Sequence, residues 1–293
     1  MIAAVGADFL FAVFFIAAAA PLLTGAIALA VTGKKQPKGT AAALLFHSIS
    51  SCQNTHLSHF SPDKFRQLIG RIKERGIETR TLKEARADGS AAPLAPLVIT
   101  FDDGFESFFI HALPALDAHG IKATVFPIAG FIGKSSYWDV LPRQSHMNHS
   151  QLKTVSQRGH EIGSHTMTHS NLTFLRDEDV RRELLDSKHL LEDLIGKPVT
   201  SLSFPYGSWN RRIWEKALEI GYTRATCYRH HSRILSGLVP VHGIYSFDSV
   251  NDVMDKISPA TGHLNSIARC RIMSHFAKGT PLWKFQKNYA LMP

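Results

Sequence analysis

The sequence has 293 residues, and 44% of them are hydrophobic, an ordinary fraction for a globular protein with a sizeable core. This composition excludes a chain that is disordered throughout. Lys and Arg outnumber Asp and Glu by 33 to 24, so the net charge of +9 favours anionic neighbours such as phospholipid head groups or phosphorylated glycans. The basic residues are scattered and form no recognisable nucleic-acid module, so we expect no nucleic-acid partner.

The N-terminal segment is predicted to be a membrane anchor. Residues 9–33 contain no charged side chain, and as a helix they would span about 37 Å against about 30 Å of hydrocarbon. A cleaved signal peptide is the alternative, but it would have a basic start, whereas the first eight residues carry only Asp8 as a charged side chain. We therefore assign residues 1–33 to a single-pass transmembrane helix in the cell membrane, with the lipid bilayer as a partner.

The residues after this helix bear on its orientation. Lys34, Lys35 and Lys38 follow directly, and a positive flank is typical of the cytoplasmic side of a membrane helix. This pattern indicates a cytoplasmic catalytic domain, although an enzyme acting on exported polysaccharide would be expected on the other side. The side therefore stays open at this point. Residues 34–40 are predicted to be a linker.

After the linker, segments typical of buried strands alternate with segments of helical periodicity. The domain is predicted to begin at residue 41 and to run to residue 250, with residues 251–293 as a C-terminal extension. Strands are predicted at 41–46, 97–101, 123–128, 199–204 and 222–227, and helices at 62–75, 105–119, 150–158, 180–195 and 211–220. Such alternation predicts an α/β fold with a parallel sheet or barrel, in which chemistry gathers at the carboxyl ends of the strands.

Two adjacent carboxylates follow the predicted strand at 97–101. Asp102 and Asp103 stand before Gly104, which lets the backbone turn away at the rim of the sheet. One carboxylate could coordinate a divalent metal while the other takes a proton from a water held there. A solvated turn is an equally acceptable interpretation of Asp-Asp-Gly taken alone.

A pair of imidazoles occurs further along the chain. His165 and His169 are four residues apart, so a helical turn would place them on one face, where both could bind one metal. With 16 His among 293 residues, chance alone predicts roughly one such pair, so the spacing is weak evidence. The preceding residues 160–164 resemble a short strand that would bring the pair to the same rim as Asp103. Two imidazoles and one carboxylate would leave positions open for catalysis.

Two further strand ends carry candidate residues. Ser203-Phe204-Pro205-Tyr206-Gly207 follows the strand at 199–204, and its turn could present the backbone N–H of Tyr206 to the site. His47 closes the first strand of the domain and could enter the site from another side. Both features could equally be structural, because turns and single histidines at strand ends are common.

Three of these motifs, in this order, resemble a known family. The segments 100–104, 165–169 and 203–207 are similar to the first three motifs of the polysaccharide deacetylases, the NodB-homology domains of carbohydrate esterase family 4. The resemblance covers residues 41–250 and implies a distorted (β/α) barrel of about seven strands. It also implies a divalent metal, expected to be Zn²⁺, on Asp103, His165 and His169.

The resemblance assigns roles to the remaining candidates. Asp102 would be the general base toward a metal-bound water, and the Tyr206 N–H would stabilise the oxyanion. Pro205 and Tyr206 would also contact the substrate. The chain departs from the family in lacking a Leu-x-His motif, so His47 or His242 would have to act as the acid. Ser203 stands where the family commonly has Arg, which puts the tuning of Asp102 in doubt, and the fourth motif is not recognisable.

These observations lead to one expected function and one alternative from another class. We expect a metal-dependent hydrolase that removes an N-acetyl or other N-acyl group from amino-sugar residues of a glycan or lipid-linked saccharide. A cytoplasmic domain would favour a lipid-linked or nucleotide-linked sugar, and the carrier of the acyl group could also be a non-carbohydrate amine. The alternative is a membrane-anchored carbohydrate-binding protein that has kept the deacetylase fold and lost turnover.

Overall fold

The computed structural model describes residues 43–51, 57–85, 96–136, 144–228 and 235–257. The expected membrane anchor (1–33), the linker (34–40) and most of the expected C-terminal extension lie outside these residues. Within the described ranges, no helix has both the length and the apolar composition needed to cross a bilayer.

Seven parallel strands form the wall of a nearly closed barrel. In spatial order they are β7 (Glu161–Ile162), β6 (Thr124–Val125), β5 (Leu97–Phe101), β1 (Ala43–Phe46), β10 (Leu238–Gly243), β9 (Arg224–Tyr228) and β8 (Ser201–Ser203). The two edges meet where Ser164, just after β7, forms a parallel bridge with Leu202 of β8. The expected α/β barrel of about seven strands is therefore confirmed for the described domain.

Three short strands are not part of this seven-strand order. β4 (Thr79–Arg80) pairs with β5, while β2 (Ser48–Ile49) and β3 (His59–Phe60) pair with each other. β10 has no counterpart among the predicted strands. Its run contains Pro240, which lacks a backbone N–H and normally excludes a central strand. The strand nevertheless pairs in parallel with both β1 and β9.

Helices cover the outside of the barrel. They are α1 (Pro62–Glu74), a π-helix (Phe108–Ala112) that runs into α2 (Leu113–Ala118), α3 (His149–Gln157), α4 (Asp177–Ile195), α5 (Arg211–Ile220) and α6 (Val250–Ile257). α4 begins three residues before the prediction because Asp177, Glu178 and Asp179 favour the positive end of the helix dipole. α6 crosses the expected boundary at residue 250, packs against α1 and buries Val253 and Met254.

The strands separate two apolar layers because successive side chains point to opposite faces. In β1, Leu44 and Phe46 belong to the large outer core beneath the helices, whereas Ala43 and Leu45 belong to a smaller cluster inside the barrel. Leu82, in a 3₁₀ turn (Leu82–Glu84), belongs to the inner cluster at the amino end of the strands. The carboxyl ends of the strands carry the candidate site.

Candidate active site

Three of the predicted residues converge at the carboxyl end of the barrel. Oδ1 of Asp103 lies 3.5 Å from Nε2 of His165 and 3.6 Å from Nε2 of His169. One ligand atom from each residue lies within 4.8 Å of the other two, a spacing that could hold one metal ion. Asp103 and His165 are buried and His169 is nearly so, which shields the cluster from bulk water.

The backbone bends sharply at each of these motifs. Asp103 has φ 66°, Thr166 φ 67°, His169 φ 62° and Tyr206 φ 59°, and all the non-glycine residues with positive φ in the described part of the chain are at this end. Side chains strain such a backbone by about 1–3 kcal/mol each, and residues of this kind concentrate at functional sites. The segment 165–169 is therefore not a helical turn, and left-handed bends bring its two imidazoles together.

One close backbone approach and one hydrogen bond fix the position of Asp103. Gly104 follows with φ +71°, and a Cβ there would lie 2.7 Å from Cα of Pro127, so no other residue fits without a shift. The carbonyl oxygen of Asp103 accepts a hydrogen bond from Nδ1–H of His146 at 2.9 Å. Because a carbonyl can only accept, this bond also fixes the tautomer of His146.

His165 is oriented by a bond on the far side of its ring. Its Nδ1–H donates to the carbonyl oxygen of Ser203 at 2.9 Å, which leaves the lone pair of Nε2 directed to the cluster. Burial lowers the pKa of His165 to about 3, with a smaller contribution from nearby His47. Burial also lowers the pKa of His169 well below its usual value. Both imidazoles are therefore neutral at pH 7, the state in which histidine binds metals.

Asp102 lies beside the cluster, with its carboxylate held from inside the barrel. Its Oδ2 is 3.9 Å from Nε2 of His165 and accepts a hydrogen bond from the Ser203 hydroxyl at 2.9 Å. The hydroxyl of Thr226 on β9 donates in turn to the Ser203 oxygen at 3.0 Å. The two hydroxyls form a neutral relay, Thr226 to Ser203 to Asp102, at the position where the family commonly has Arg.

The pKa of Asp102 reflects its burial beside a second carboxylate. Burial raises the pKa of Asp102 well above its usual value, the charge of Asp103 raises it further, and the Ser203 hydroxyl lowers it. Within the described residues its Oδ1 has no hydrogen-bond partner although it is buried. A buried carboxylate oxygen without a partner is costly, so its presence here indicates a site for a ligand or an attacking water.

Of the two candidate acids, the structure brings His47 to this end of the barrel. Burial lowers the pKa of His47 to about 4, with a further contribution from His59, and His47 in turn influences His165 and His169. Nδ1 of His47 has no hydrogen-bond partner among the described residues. His242 pairs with Leu44 in the register of β10 and β1, a position of the outer face.

Tyr206 lies at the edge of the cluster, in the 3₁₀ turn Pro205–Gly207 that follows β8. Its ring centroid is 4.7 Å from that of His169, with an angle of 57° between the planes. Pro205 is buried beneath this turn, while Tyr206 is partly exposed. The predicted Pro-Tyr-Gly turn therefore lies against a predicted metal ligand, His169.

Sequence reasoning missed His146. It is buried between the rings of Phe105, with centroids 4.9 Å apart, and Phe131, with centroids 5.7 Å apart. Burial lowers its pKa to about 4, and its position contributes to the low pKa of His169. No strand or motif precedes His146 in the sequence, so only the folded chain identifies it as a neighbour of the site.

The residues of the cluster fit a divalent metal such as zinc. Two neutral imidazole nitrogens and one carboxylate oxygen form a donor set typical of catalytic zinc, which keeps further positions open. The ring bond from His165 to Ser203 is the kind of outer contact that orients metal-binding histidines.

Comparison with known proteins agrees with this geometry. A family model described as polysaccharide deacetylase matches residues 91–225. YxkH of Bacillus subtilis, whose name refers to polysaccharide deacetylation, is 31% identical over 183 residues, which are 61% of each chain. A peptidoglycan-N-acetylglucosamine deacetylase of Bacillus cereus is 30% identical over 127 residues, 43% of this chain and 53% of that protein. The chain thus spans less than two thirds of the length of these relatives.

A solved structure shares the fold. The Streptococcus pyogenes deacetylase PplD, in complex with acetate, superposes with a TM-score of 0.63 at 20% identity, covering 76% of this chain and all of that one. The matched residues 91–225 include both aspartates, both histidines and the Pro205–Gly207 turn. Residues 91–225 of the chain therefore match the polysaccharide deacetylase family.

Proposed function

We propose that this protein is a metal-dependent hydrolase that removes the N-acetyl or another N-acyl group from amino-sugar residues. The observation that carries the proposal is the cluster of Asp103, His165 and His169 with the Asp102 carboxylate on the same rim. Asp103, His165 and His169 would hold the metal, for which we propose Zn²⁺. When bound, the metal supplies a Lewis acid that polarises the amide carbonyl and acidifies a water.

Asp102 would act as the general base. Its carboxylate is held at Oδ2 by Ser203, and its buried Oδ1 has no hydrogen-bond partner among the described residues. This oxygen could receive the proton of the attacking water while the other stays anchored. The raised proton affinity of Asp102 makes it a stronger base than an exposed carboxylate.

Tyr206 and His47 would complete the reaction. The backbone N–H of Tyr206 would donate to the oxygen that becomes negative as the C–O bond forms, which stabilises the transition state. The C–N bond then breaks, and the departing amine needs a proton. His47 is proposed to deliver it, because it shares this end of the barrel, whereas His242 occupies an outer-face position. Pro205 and the Tyr206 ring would contact the sugar.

For the substrate we propose N-acetylated amino sugar in a glycan or a lipid-linked saccharide. The names of the Bacillus cereus relatives support N-acetylglucosamine as the sugar. The uncharged segment 9–33 and the three lysines after it support a cell-membrane anchor with a cytoplasmic domain, for which a lipid-linked saccharide would be the accessible substrate. Protection of the domain from external protease in intact cells tests this; digestion from outside would favour exported glycan.

The decisive experiment measures acetate release from N-acetylglucosamine oligomers by the full-length protein. Three samples are compared: the protein as purified, after removal of metal by a chelator, and after return of Zn²⁺. We expect release to disappear with the metal and to recover with zinc. A protein that binds one zinc but releases no acetate from oligomers or from a lipid-linked N-acetylglucosamine would contradict the proposal and favour the carbohydrate-binding alternative.

A further inference from the structure

The loop Ser164–His169 carries both proposed imidazole ligands and has little regular structure of its own. It leaves the barrel after β7 and contains two residues in the left-handed region, Thr166 with φ 67° and His169 with φ 62°. A loop with this backbone conformation is not stable by itself, because non-glycine residues disfavour positive φ. Other parts of the chain must therefore fix the directions of His165 and His169.

Helix α4 supplies this support through Glu183. One carboxylate oxygen of Glu183, Oε2, accepts hydrogen bonds from the backbone N–H of Met167 at 3.0 Å and of Thr168 at 2.9 Å. The other oxygen, Oε1, accepts the Thr168 hydroxyl at 2.5 Å. Glu183 is only 8% exposed, and all three of these bonds end in the ligand loop. The carboxylate thus spans the segment between the two histidines.

Ser187, one turn further along α4, holds the start of the same loop. Its hydroxyl donates to the carbonyl oxygen of Leu184 at 3.0 Å, so in its 2.8 Å contact with Ser164 it must be the acceptor. Ser164 donates its hydroxyl hydrogen to Ser187, and its oxygen accepts a hydrogen bond from the backbone N–H of Thr166 at 3.0 Å. Three consecutive backbone N–H groups, those of residues 166 to 168, are therefore satisfied by Glu183 and by Ser164, which Ser187 anchors.

We infer that Glu183 is a positioning residue for the metal site, which sets the directions of His165 and His169 through the backbone between them. This inference rests on the proposed function for the identity of the ligands. It assigns a role to a buried carboxylate that takes no part in the proposed chemistry. Outer contacts that orient metal ligands change metal affinity when they are removed, even though they do not touch the ion.

The test compares two variants of one helix. Glu183→Gln keeps the size of the side chain but removes its charge and one accepting oxygen, so either the Thr168 hydroxyl or a backbone N–H of residues 167–168 loses its acceptor, and the remaining bonds are no longer to a charged group. Glu192→Gln is the matched control, because Glu192 also lies on α4 and accepts a backbone N–H, that of Val199 at 2.8 Å. That bond holds the approach to β8, outside the ligand loop.

Zinc affinity of the purified full-length proteins is measured by competition with a chromogenic chelator, alongside the melting temperature of each metal-free protein. We expect Glu183→Gln to weaken zinc binding by about 10–100-fold and Glu192→Gln to leave it within about twofold of the parent. Both variants should lower the melting temperature. In the Co²⁺-substituted proteins, only Glu183→Gln should change the visible absorption spectrum, which reports the ligand geometry. The exposed Thr168→Val is a milder second variant, with an expected loss of a few fold.

An unchanged zinc affinity in a folded Glu183→Gln or, if that variant does not fold, in Thr168→Val would overturn the inference. Equal losses in Glu183→Gln and Glu192→Gln would overturn it as well, because they would reveal a general effect of stability. The proposed function fails separately: a parent protein that binds zinc but releases no acetate loses that function, while the zinc affinities still decide the role of Glu183. A parent that binds no divalent metal would overturn both.

Discussion

The two ends of the barrel use the same polar residue types in different ways. At the amino end, buried Glu161 accepts hydrogen bonds from the hydroxyls of Ser201 and Thr124 and from the backbone N–H of Lys83 at 3.0 Å. These bonds join β6, β7 and β8 to the 3₁₀ turn that covers this end. At the carboxyl end, Asp102 accepts one side-chain hydrogen bond, from Ser203 at 2.9 Å, and its Oδ1 has none among the described residues.

The histidines differ in the same manner. At the amino end, Nδ1 of His160 accepts the N–H of Ala123 at 3.2 Å, while its Nε2–H donates to Asp117 at 3.1 Å. Both nitrogens are thereby used within the protein. At the carboxyl end, Nδ1 of His47 is buried without a hydrogen-bond partner among the described residues. Burial is therefore no guide to function by itself. A ligand site differs from a structural polar cluster in having buried acceptor atoms that make no hydrogen bond within the protein.

The largest expected effect is the loss of the proposed base. Asp102→Asn keeps the hydrogen bond from Ser203 but removes the basic oxygen, so kcat/KM for acetate release should fall by about 10³-fold. Zinc affinity should stay near that of the parent. The matched control at the other end is Asp117→Asn, which should leave kcat unchanged in the folded fraction. Equal losses of kcat in both variants would contradict the assignment of catalysis to the carboxyl end alone.

The free energy of unfolding should depend on pH through His146, a buried histidine at the carboxyl end. The pKa of His146 is lowered to about 4 in the folded protein, against about 6.5 in an unfolded chain. Between these values the unfolded state binds a proton that the folded state does not, so stability is lost as the pH falls from 6.5 to 4. One such group contributes a loss of about 3 kcal/mol over this window.

The measurement is the free energy of unfolding by urea of the metal-free parent and of His146→Gln, at pH 7 and pH 4. The difference between the two proteins should shrink by about 3 kcal/mol at the lower pH, because the variant has no imidazole to protonate. Taking the difference also removes the opposite contribution of Asp102, whose raised pKa stabilises the folded state as the pH falls. A difference that does not change with pH would refute the assignment.

The proposed acid can be separated from its rival by a pair of substitutions. His47→Gln should lower kcat by about 10²-fold, the size expected for the loss of one general acid or base, and should change the pH–rate profile near pH 4, where burial places the pKa of His47. His242→Gln, on the outer face of β10, should leave kcat and the profile unchanged. The reverse pattern in the two variants would assign the proton donor to His242.

A substitution at the amino end should lower the free energy of unfolding and leave kcat unchanged. Glu161→Gln replaces one accepting oxygen by a donor, so at least one of the groups facing it loses its partner inside the barrel. The cost is about 2 kcal/mol, measured as the change in the free energy of unfolding. Zinc affinity and kcat of the folded variant should match the parent. A loss of zinc affinity would show that the two ends are coupled.

The smallest expected effect concerns the hydroxyl relay behind Asp102. Thr226→Val removes the donor to Ser203 while keeping the shape of the side chain, so stability should fall by about 1 kcal/mol. Because Ser203 then holds Asp102 less firmly, kcat should fall several-fold with KM unchanged. Thr226→Ser restores the hydroxyl and should recover most of kcat. A kcat in Thr226→Val equal to that of the parent would show that Ser203 alone positions Asp102.

The sequence by itself determined much of this molecule. Alternating buried strands and amphipathic helices predicted a parallel sheet or barrel, because burial on both faces leaves continuous apolar runs, and the resemblance to polysaccharide deacetylases implied the barrel. Asp102, Asp103 and His47 could be found because each follows such a run directly. β10 was missed because Pro240 interrupts the pattern that marks a strand, and the segment 165–169 was expected to bring its imidazoles together as a helical turn, although left-handed bends do so.

The tertiary structure decided which groups support these residues. His146 and Glu183 follow Asp103 by 43 and 80 positions, and Thr226 follows Asp102 by 124 positions. No local sequence pattern marks any of the three. Periodicity reports only which face of an element is buried, and the same pattern suits a core residue and one that orients a ligand. The partners of a buried polar side chain come from distant segments, so they are defined only when the barrel closes and brings the strand ends together.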